Sequence, residues 1–222
     1  ALFNYNAIKE IRPLLQLMTH NRVELLSMYE INFQPGKVCT MLMEYGVGTL
    51  DDLEKFISNY NIVYRGLIEE VRAQLIQQVN ILRSINLCHR DIKPENIIIS
   101  QDWELKITDF GLADINPKSD ILEDALPCGS PGFWAPEIEK AFFMKKTLTC
   151  DLWKADLCSL GKTLRDICKW CNKQFMIGLM MEFDIMIEDR IYPSAFEQAD
   201  LTPQNHYQKE FQRYQLTNAL KR

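Results

Sequence analysis

The chain has 222 residues, of which 47% are hydrophobic and 25% charged, the composition of a globular chain with material for one substantial core. A formal net charge of -5 speaks against a nucleic-acid-binding face, which needs clustered Lys and Arg to neutralise phosphates. With only His20, His89 and His206 there is little material for a histidine metal cluster or a histidine-based hydrolase triad, so any chemistry is expected to rest on carboxylates.

Apolar residues at Ile8, Ile11, Leu14, Leu15 and Leu17 follow a helical period that ends at Thr19-His20-Asn21. Two strand-like runs follow, at residues 23–31 and 37–44, and the Pro35-Gly36 pair between them predicts a tight antiparallel turn. Past Gly46 and Gly48 the pattern predicts a helix over 50–58. A longer one covers 67–85, with Leu67, Val71, Leu75, Ile76, Val79 and Leu82 on one face. Ile97–Ile99 and Leu105–Ile107 flank Gln101-Asp102 as a small hairpin. Glycine, proline and acidic residues dominate 109–136, a loop long enough to be functional. Helical periodicity returns over 151–171, 175–187 and 195–220. The expected class is α+β, mostly helical, with a strand pair near the start and a hairpin in the middle.

The apolar stretch 175–187 is broken by Glu182 and Asp184 and falls short of the roughly 20 residues that span a bilayer. No basic-then-apolar leader heads the chain, and seven cysteines without a secretory signal fit a reducing compartment. Cys168 and Cys171 form one C-x-x-C, with no second pair to complete a zinc site. A cytoplasmic or nuclear protein is expected, with neither membrane nor nucleic acid as a partner.

Three motifs stand in order along the chain: His89-Arg90-Asp91-Ile92-Lys93-Pro94-Glu95-Asn96, Asp109-Phe110-Gly111 and Ala135-Pro136-Glu137. As an ordered set bounding one loop, they resemble the eukaryotic protein kinase family. The resemblance implies a kinase-like fold: a partial small lobe over 1–43, a hinge at 44–48, and a helical large lobe over 49–222. It implies transfer of the γ-phosphoryl group of ATP, with Mg2+, to a protein substrate. Lys93 and the Gly129–Phe133 stretch look like the serine/threonine branch rather than the tyrosine branch.

Phosphoryl transfer asks mainly for positioned charge, which explains the residue types. By resemblance, Asp91 orients the attacking hydroxyl and accepts its proton, Lys93 faces the phosphoryl oxygens, and Ser130 bonds both while shaping the substrate platform. Asn96 and Asp109 offer the hard oxygens that suit Mg2+. Met43 stands in the gatekeeper place, the backbone of Glu44 and Gly46 faces the adenine, and Ile98 forms its floor. Glu10 looks like the carboxylate that pairs with an ATP-holding lysine. His89, Arg90, Phe110 and Gly111 complete their motifs structurally. Asp156 resembles the buried helix-start aspartate that holds the catalytic loop's backbone, and Arg190 the partner of Glu137.

Departures accompany these matches. No glycine-rich loop precedes Glu10, and the lysine strand is expected upstream in a longer parent protein. The stretch from Asp156 to Arg190 is shorter than in the family, which puts substrate docking there in question. Leu126 occupies the position of the usual phosphorylated threonine, so Glu123 or Asp124 is expected to partner Arg90 permanently. A pseudokinase acting as a scaffold stays open as an alternative. A small-molecule phosphotransferase is disfavoured by Ala135–Glu137, and the oligomeric state is not legible.

Overall fold

A computed structural model of the chain describes residues 5–20, 25–32, 40–60, 65–115, 122–125, 127–170 and 177–189. The predicted turn at Pro35-Gly36 and the helix expected over 195–220 lie outside the described residues. The first helix, α1 (Tyr5–His20), buries Leu14 and Leu17. Strands β1 (Met28–Asn32) and β2 (Thr40–Met43) pair antiparallel, Asn32 opposite Thr40 and Met28 opposite Met43, with a bulge between Met28 and Glu30. The described part of β1 starts later than the run at 23–31 suggests. Leu25 and Leu26, both buried, precede the strand.

A two-residue strand, β3 (Gly48–Thr49), leads into α2 (Leu50–Tyr60) through a reciprocal cap. Asp52 Oδ2 accepts from Thr49 N at 2.9 Å while Thr49 Oγ1 accepts from Asp52 N at 3.2 Å. The bond from Thr49 N holds the Asp52 carboxyl below its ordinary range. The long helix α3 (Arg65–Ser84) buries Ile68, Val71, Leu75, Val79 and Leu82, whereas Leu67 and Ile76 lie half-buried at the edge of that stripe.

From there the chain runs through β4 (Leu87–Cys88), β5 (Ile97–Ile99), β6 (Leu105–Ile107) and β7 (Asp114–Ile115). The order β3-β5-β6 makes one small sheet, in which β6 is the outer strand, and β4 pairs β7 with Cys88 opposite Asp114. Within the loop expected over 109–136, β8 (Leu122–Ala125) is extended and pairs with β9 (Leu148–Cys150). Helix α4 (Pro136–Met144) separates those two strands. It was not legible from periodicity because its nine residues hold a single apolar set, Ile138, Ala141 and Phe142, too short to establish a period.

The central helix α5 (Leu152–Trp170) packs on α3, α2 and α6 (Ile177–Glu188), as its apolar period predicts. One main core joins α1, α2, α3, the β5–β6 hairpin, α5 and α6, and Cys168 is part of it. Among the described residues, no helix is long and apolar enough to cross a membrane. Close approach of α6 to α5 depends on Gly161. A Cβ there would lie 2.9 Å from Ile187 Cγ1, 3.1 Å from Met186 Cβ and 3.2 Å from the Phe183 carbonyl. Gly161→Ala is therefore expected to push the helices apart and cost about 1–3 kcal/mol, the range for overpacking. Urea denaturation of the two proteins checks this, and an unchanged or raised midpoint would refute the close-packing role.

Candidate active site

Three segments meet beside α5: the loop after β4, the turn after β6, and the stretch that precedes α4. The first is held from below by Asp156, whose Oδ2 accepts from His89 N at 2.6 Å and Oδ1 from Arg90 N at 2.7 Å. Its location corrects the helix-start expectation. Asp151 caps α5, accepting from Lys154 N at its side chain and from Ala155 N at its carbonyl, and Asp156 stands one turn further in. Its carboxylate is therefore spent on the neighbouring loop rather than on its own helix. Burial pushes the Asp156 carboxyl up to about 6, against the backbone N–H groups of Arg90 and His89, which favour the ionised form.

Arg90 adopts φ 70, a left-handed conformation uncommon outside glycine. Directly over it passes Gly129, with φ 101, where any Cβ would lie 2.6 Å from the Arg90 carbonyl. Only glycine satisfies both demands, and this close crossing delivers Ser130 to the loop. Lys93 Nζ donates to Ser130 Oγ at 2.6 Å and lies 3.4 Å from Asp91 Oδ2. Asn96, at the end of the short turn Pro94–Asn96, donates through Nδ2 to Asp91 Oδ2 at 3.1 Å and to the Asp91 carbonyl at 3.0 Å. Asp91 is 8% exposed, and its other oxygen, Oδ1, is buried without a hydrogen-bond partner. Such an orphaned acceptor is costly unless something else supplies a proton or a cation.

The turn after β6 is tied to the same loop. Thr108 N donates to the Asn96 carbonyl at 2.9 Å, and the Thr108 carbonyl receives His89 Nε2 at 2.9 Å. His89 is fully buried, and its Nδ1 accepts from Asp91 N at 3.2 Å, which fixes the neutral tautomer with the proton on Nε2. Burial holds its pKa below the ordinary value. The Phe110 ring meets the imidazole edge-on, with centroids 4.9 Å apart. Asp109 follows at φ 64, with Gly111 N on its Oδ1 at 3.4 Å. Asp91, Lys93 and Asn96 are thus in direct contact, Ser130 joins them through Lys93 alone and not through a bond to Asp91 as well, and Asp109 is linked to them through Thr108.

The amide of Asn96 commits its nitrogen to Asp91, which leaves its oxygen as an acceptor, and Asp109 adds an exposed carboxylate. Among the described residues, no group of three or more His, Cys, Asp or Glu forms a metal cage. Magnesium is commonly held by one or two protein oxygens together with phosphate, so the chemistry of the Asn96–Asp109 set fits that ion.

Elsewhere, a Cβ on Gly46 would lie 2.8 Å from Ile98 Cβ, so residues 46 and 98 approach closely. Met43, half-buried, ends β2, and Glu44 N donates to the Ser27 carbonyl at 2.8 Å, so Glu44 can offer a ring its carbonyl and not its N–H. Glu10 lies on α1, which packs against the Phe110–Leu112 turn; its side chain is outside the described residues. Glu137 is half-buried in the first turn of α4, and its expected partner Arg190 is outside the described residues. Arg90 Nη1 lies 3.9 Å from Asp114 Oδ2, a neighbour that the expectation of Glu123 or Asp124 did not include. The register Cys88 opposite Asp114 puts it there, through a strand too short to read from sequence.

Three polar side chains of α5 also went unassigned in the sequence. Ser159 Oγ donates to the Phe133 carbonyl at 2.8 Å, Lys162 Nζ to the Trp134 carbonyl at 2.6 Å, and Thr163 Oγ1 to the Ile92 carbonyl at 3.4 Å. Their signal was present as polar residues at i, i+3 and i+4 in a helix otherwise apolar enough to be central.

Comparison with known proteins gives a match of residues 3–173 to the protein kinase domain family. The chain is 35% identical over 150 residues to the serine/threonine-protein kinase ATG1c of Arabidopsis thaliana, covering 66% of this chain and 19% of that protein. It is 32% identical over 179 residues to the probable serine/threonine-protein kinase fhkB of Dictyostelium discoideum, covering 78% and 14%. The chain thus spans under a fifth of the length of these two relatives. Its fold is similar to a chain in the crystal structure of the yeast RNA Pol II CTD kinase CTDK-1 complex. That match has a TM-score of 0.62 at 24% identity and covers 76% of this chain and 51% of that one.

The buried histidine gives the site a pH signature. Because the folded state disfavours protonated His89, its contribution is present above the ordinary pKa of 6.5 and is lost as pH falls below it. Asp156 has the opposite sign, since its raised pKa makes the folded chain take up a proton first, between about 6 and 3.8. In His89→Gln, whose amide can make both hydrogen bonds without titrating, unfolding free energy should fall less between pH 7 and 6 than in the parent. Urea midpoints across that interval check it, and identical slopes would contradict the assignment.

Proposed function

The chain belongs to the protein kinase domain family, and on that premise we propose that it transfers the γ-phosphoryl group of ATP to a serine or threonine hydroxyl of a protein. The observation that carries this reading is Asp91: one carboxylate oxygen held by Asn96 and Lys93, the other buried and unbonded. In the proposed reaction the acceptor hydroxyl gives its proton to that oxygen while its own oxygen attacks the γ-phosphorus. The bond from phosphorus to the bridging oxygen breaks, and ADP leaves with the electron pair. Lys93 neutralises charge on the transferring oxygens, and Ser130, bonded to it, keeps the ammonium from collapsing fully onto Asp91. Asn96 and Asp109 would hold Mg2+, whose charge stabilises the phosphate oxygens. Met43, Glu44, Gly46 and Ile98 would hold the adenine at the hinge, and Glu10 would pair with an ATP-holding lysine.

The proposed organisation is a small-lobe portion over 1–43, a hinge at 44–48 and a large lobe over 49–222. Serine/threonine choice is supported by the Lys93–Ser130 contact and by the names of the relatives. A cytoplasmic or nuclear location belongs to the same reading and is supported by the free thiols at Cys88 and Cys128.

Asp91→Asn retains the shape and removes the base. With Mg-ATP and a serine/threonine peptide library, it should lower kcat by about 10²- to 10⁴-fold while nucleotide affinity stays within a few-fold. Undiminished transfer in the variant would place the chemistry elsewhere, and nucleotide binding without transfer in the parent chain would make it a scaffold.

A further inference from the structure

Strand β6 ends two residues before Asp109, and as the outer strand of its sheet it presents unpaired backbone groups on one side. Lys106 lies opposite Ile98 in the ladder, so Leu105 and Ile107 turn their N–H and C=O outward. Two glutamines of α3 occupy that edge. Gln78, only 2% exposed, donates to the Leu105 carbonyl and accepts from Ile107 N at 2.8 Å. One turn earlier, Gln74 accepts from Leu105 N at 2.8 Å and donates to the Trp103 carbonyl at 3.4 Å.

Each side-chain amide therefore bonds one carbonyl and the N–H two residues on, Gln78 wholly within β6 and Gln74 from the Trp103 turn into its first residue. That is the pattern by which a residue of a parallel neighbouring strand pairs. The spacing works because four helical residues rise about 6 Å and two strand residues about 6.6 Å. The two amides act as an artificial strand, satisfying an edge that a helix backbone could not pair.

We infer that Gln74 and Gln78 are positioning residues for Asp109: by fixing β6 along its own axis, they set where the Asp109 carboxylate stands relative to Asn96. Downstream, the Thr108 bonds to the Asn96 carbonyl and His89 hold the chain's direction, but neither fixes the strand lengthwise from its outer side. Gln78 carries the larger share because it holds Ile107, the residue closest to Asp109. A cleft of about 250 Å³ lined by Gln77, Asp102 and Glu104 runs beside the contact, so water can reach the strand edge once a glutamine is withdrawn. The consequence for metal binding rests on the proposed function, whereas the strand clamp does not.

Gln78→Met keeps the side chain's length and removes both bonds; Gln78→Glu keeps the acceptor alone. Hydrogen exchange should show faster exchange at residues 105–111 in Gln78→Met, an intermediate effect in Gln78→Glu, and unchanged protection in α5. In fluorescent-nucleotide binding, the Mg2+ concentration for half-maximal effect should rise about 10-fold in Gln78→Met, the lower end for loss of a residue that orients a metal ligand. Metal-free nucleotide affinity should not move. Gln74→Met should shift both readouts in the same direction by less, and it stands in if Gln78→Met does not fold. Unaltered exchange at 105–111 would overturn the clamp, whatever the chain's activity. Local exchange with an unchanged Mg2+ requirement would overturn the link to Asp109, and a parent chain without Mg2+-dependent nucleotide binding would instead refute the kinase reading.

Discussion

A single buried carboxylate organises the site. Asp156 receives two successive backbone N–H groups, from His89 and Arg90, and so fixes the chain immediately before it turns. The bend is the left-handed φ of Arg90, which comes just after both amides and costs about 1–2 kcal/mol in a non-glycine residue. Hydrogen bonds to a charged group contribute about 1.5–3 kcal/mol each, and two of them hold that strain while burial of the carboxylate offsets part of their gain. Everything placed by the loop follows: Asp91 and Lys93 come off the bend on one side, and the exposed Arg90 carbonyl becomes the floor over which Gly129 passes.

From that bend, order spreads by short polar links rather than by apolar packing alone. His89 carries it to Thr108, Thr108 to Asp109 and Asn96, and Asn96 back to Asp91. A neutral imidazole serves this chain because it can donate on one side and accept on the other, which a charged ring could not. Helix α5 supplies the outer frame: Asp156 on the loop, Thr163 on Ile92, and Ser159 and Lys162 on the Phe133 and Trp134 carbonyls. One helix thereby indexes both the acceptor loop and the segment bearing Ser130.

The motif residues were legible in the sequence because their chemistry fixes their identity: only carboxylate, amide and ammonium perform those tasks, and they occur in a set order. Helices α1, α2, α3, α5 and α6 were legible because each turns an apolar face to the common core. What escaped is geometric rather than chemical. Gln74 and Gln78 read as the wet face of an amphipathic helix, since nothing in one dimension tells that a bare strand edge lies opposite. Asp114 is brought to Arg90 by a two-residue pairing below the threshold of any periodicity. Asp156 was assigned its partner correctly but placed at a helix start, because a carboxylate near the beginning of an apolar run looks like a cap. Helix α4 is too short for its apolar set to establish a period, and its start is marked by Pro136.

Convergence of Asn96 and Asp109 on one divalent ion is tested most directly by replacing Mg2+ with paramagnetic Mn2+ in the presence of nucleotide and reading site-specific relaxation. The Asn96 side-chain amide and the Asp109 and Phe110 backbone amides should broaden together, at the same Mn2+ concentration, while amides of α6 stay sharp. Broadening that bypasses both residues, with nucleotide demonstrably bound, would mean that the two oxygens do not share a metal.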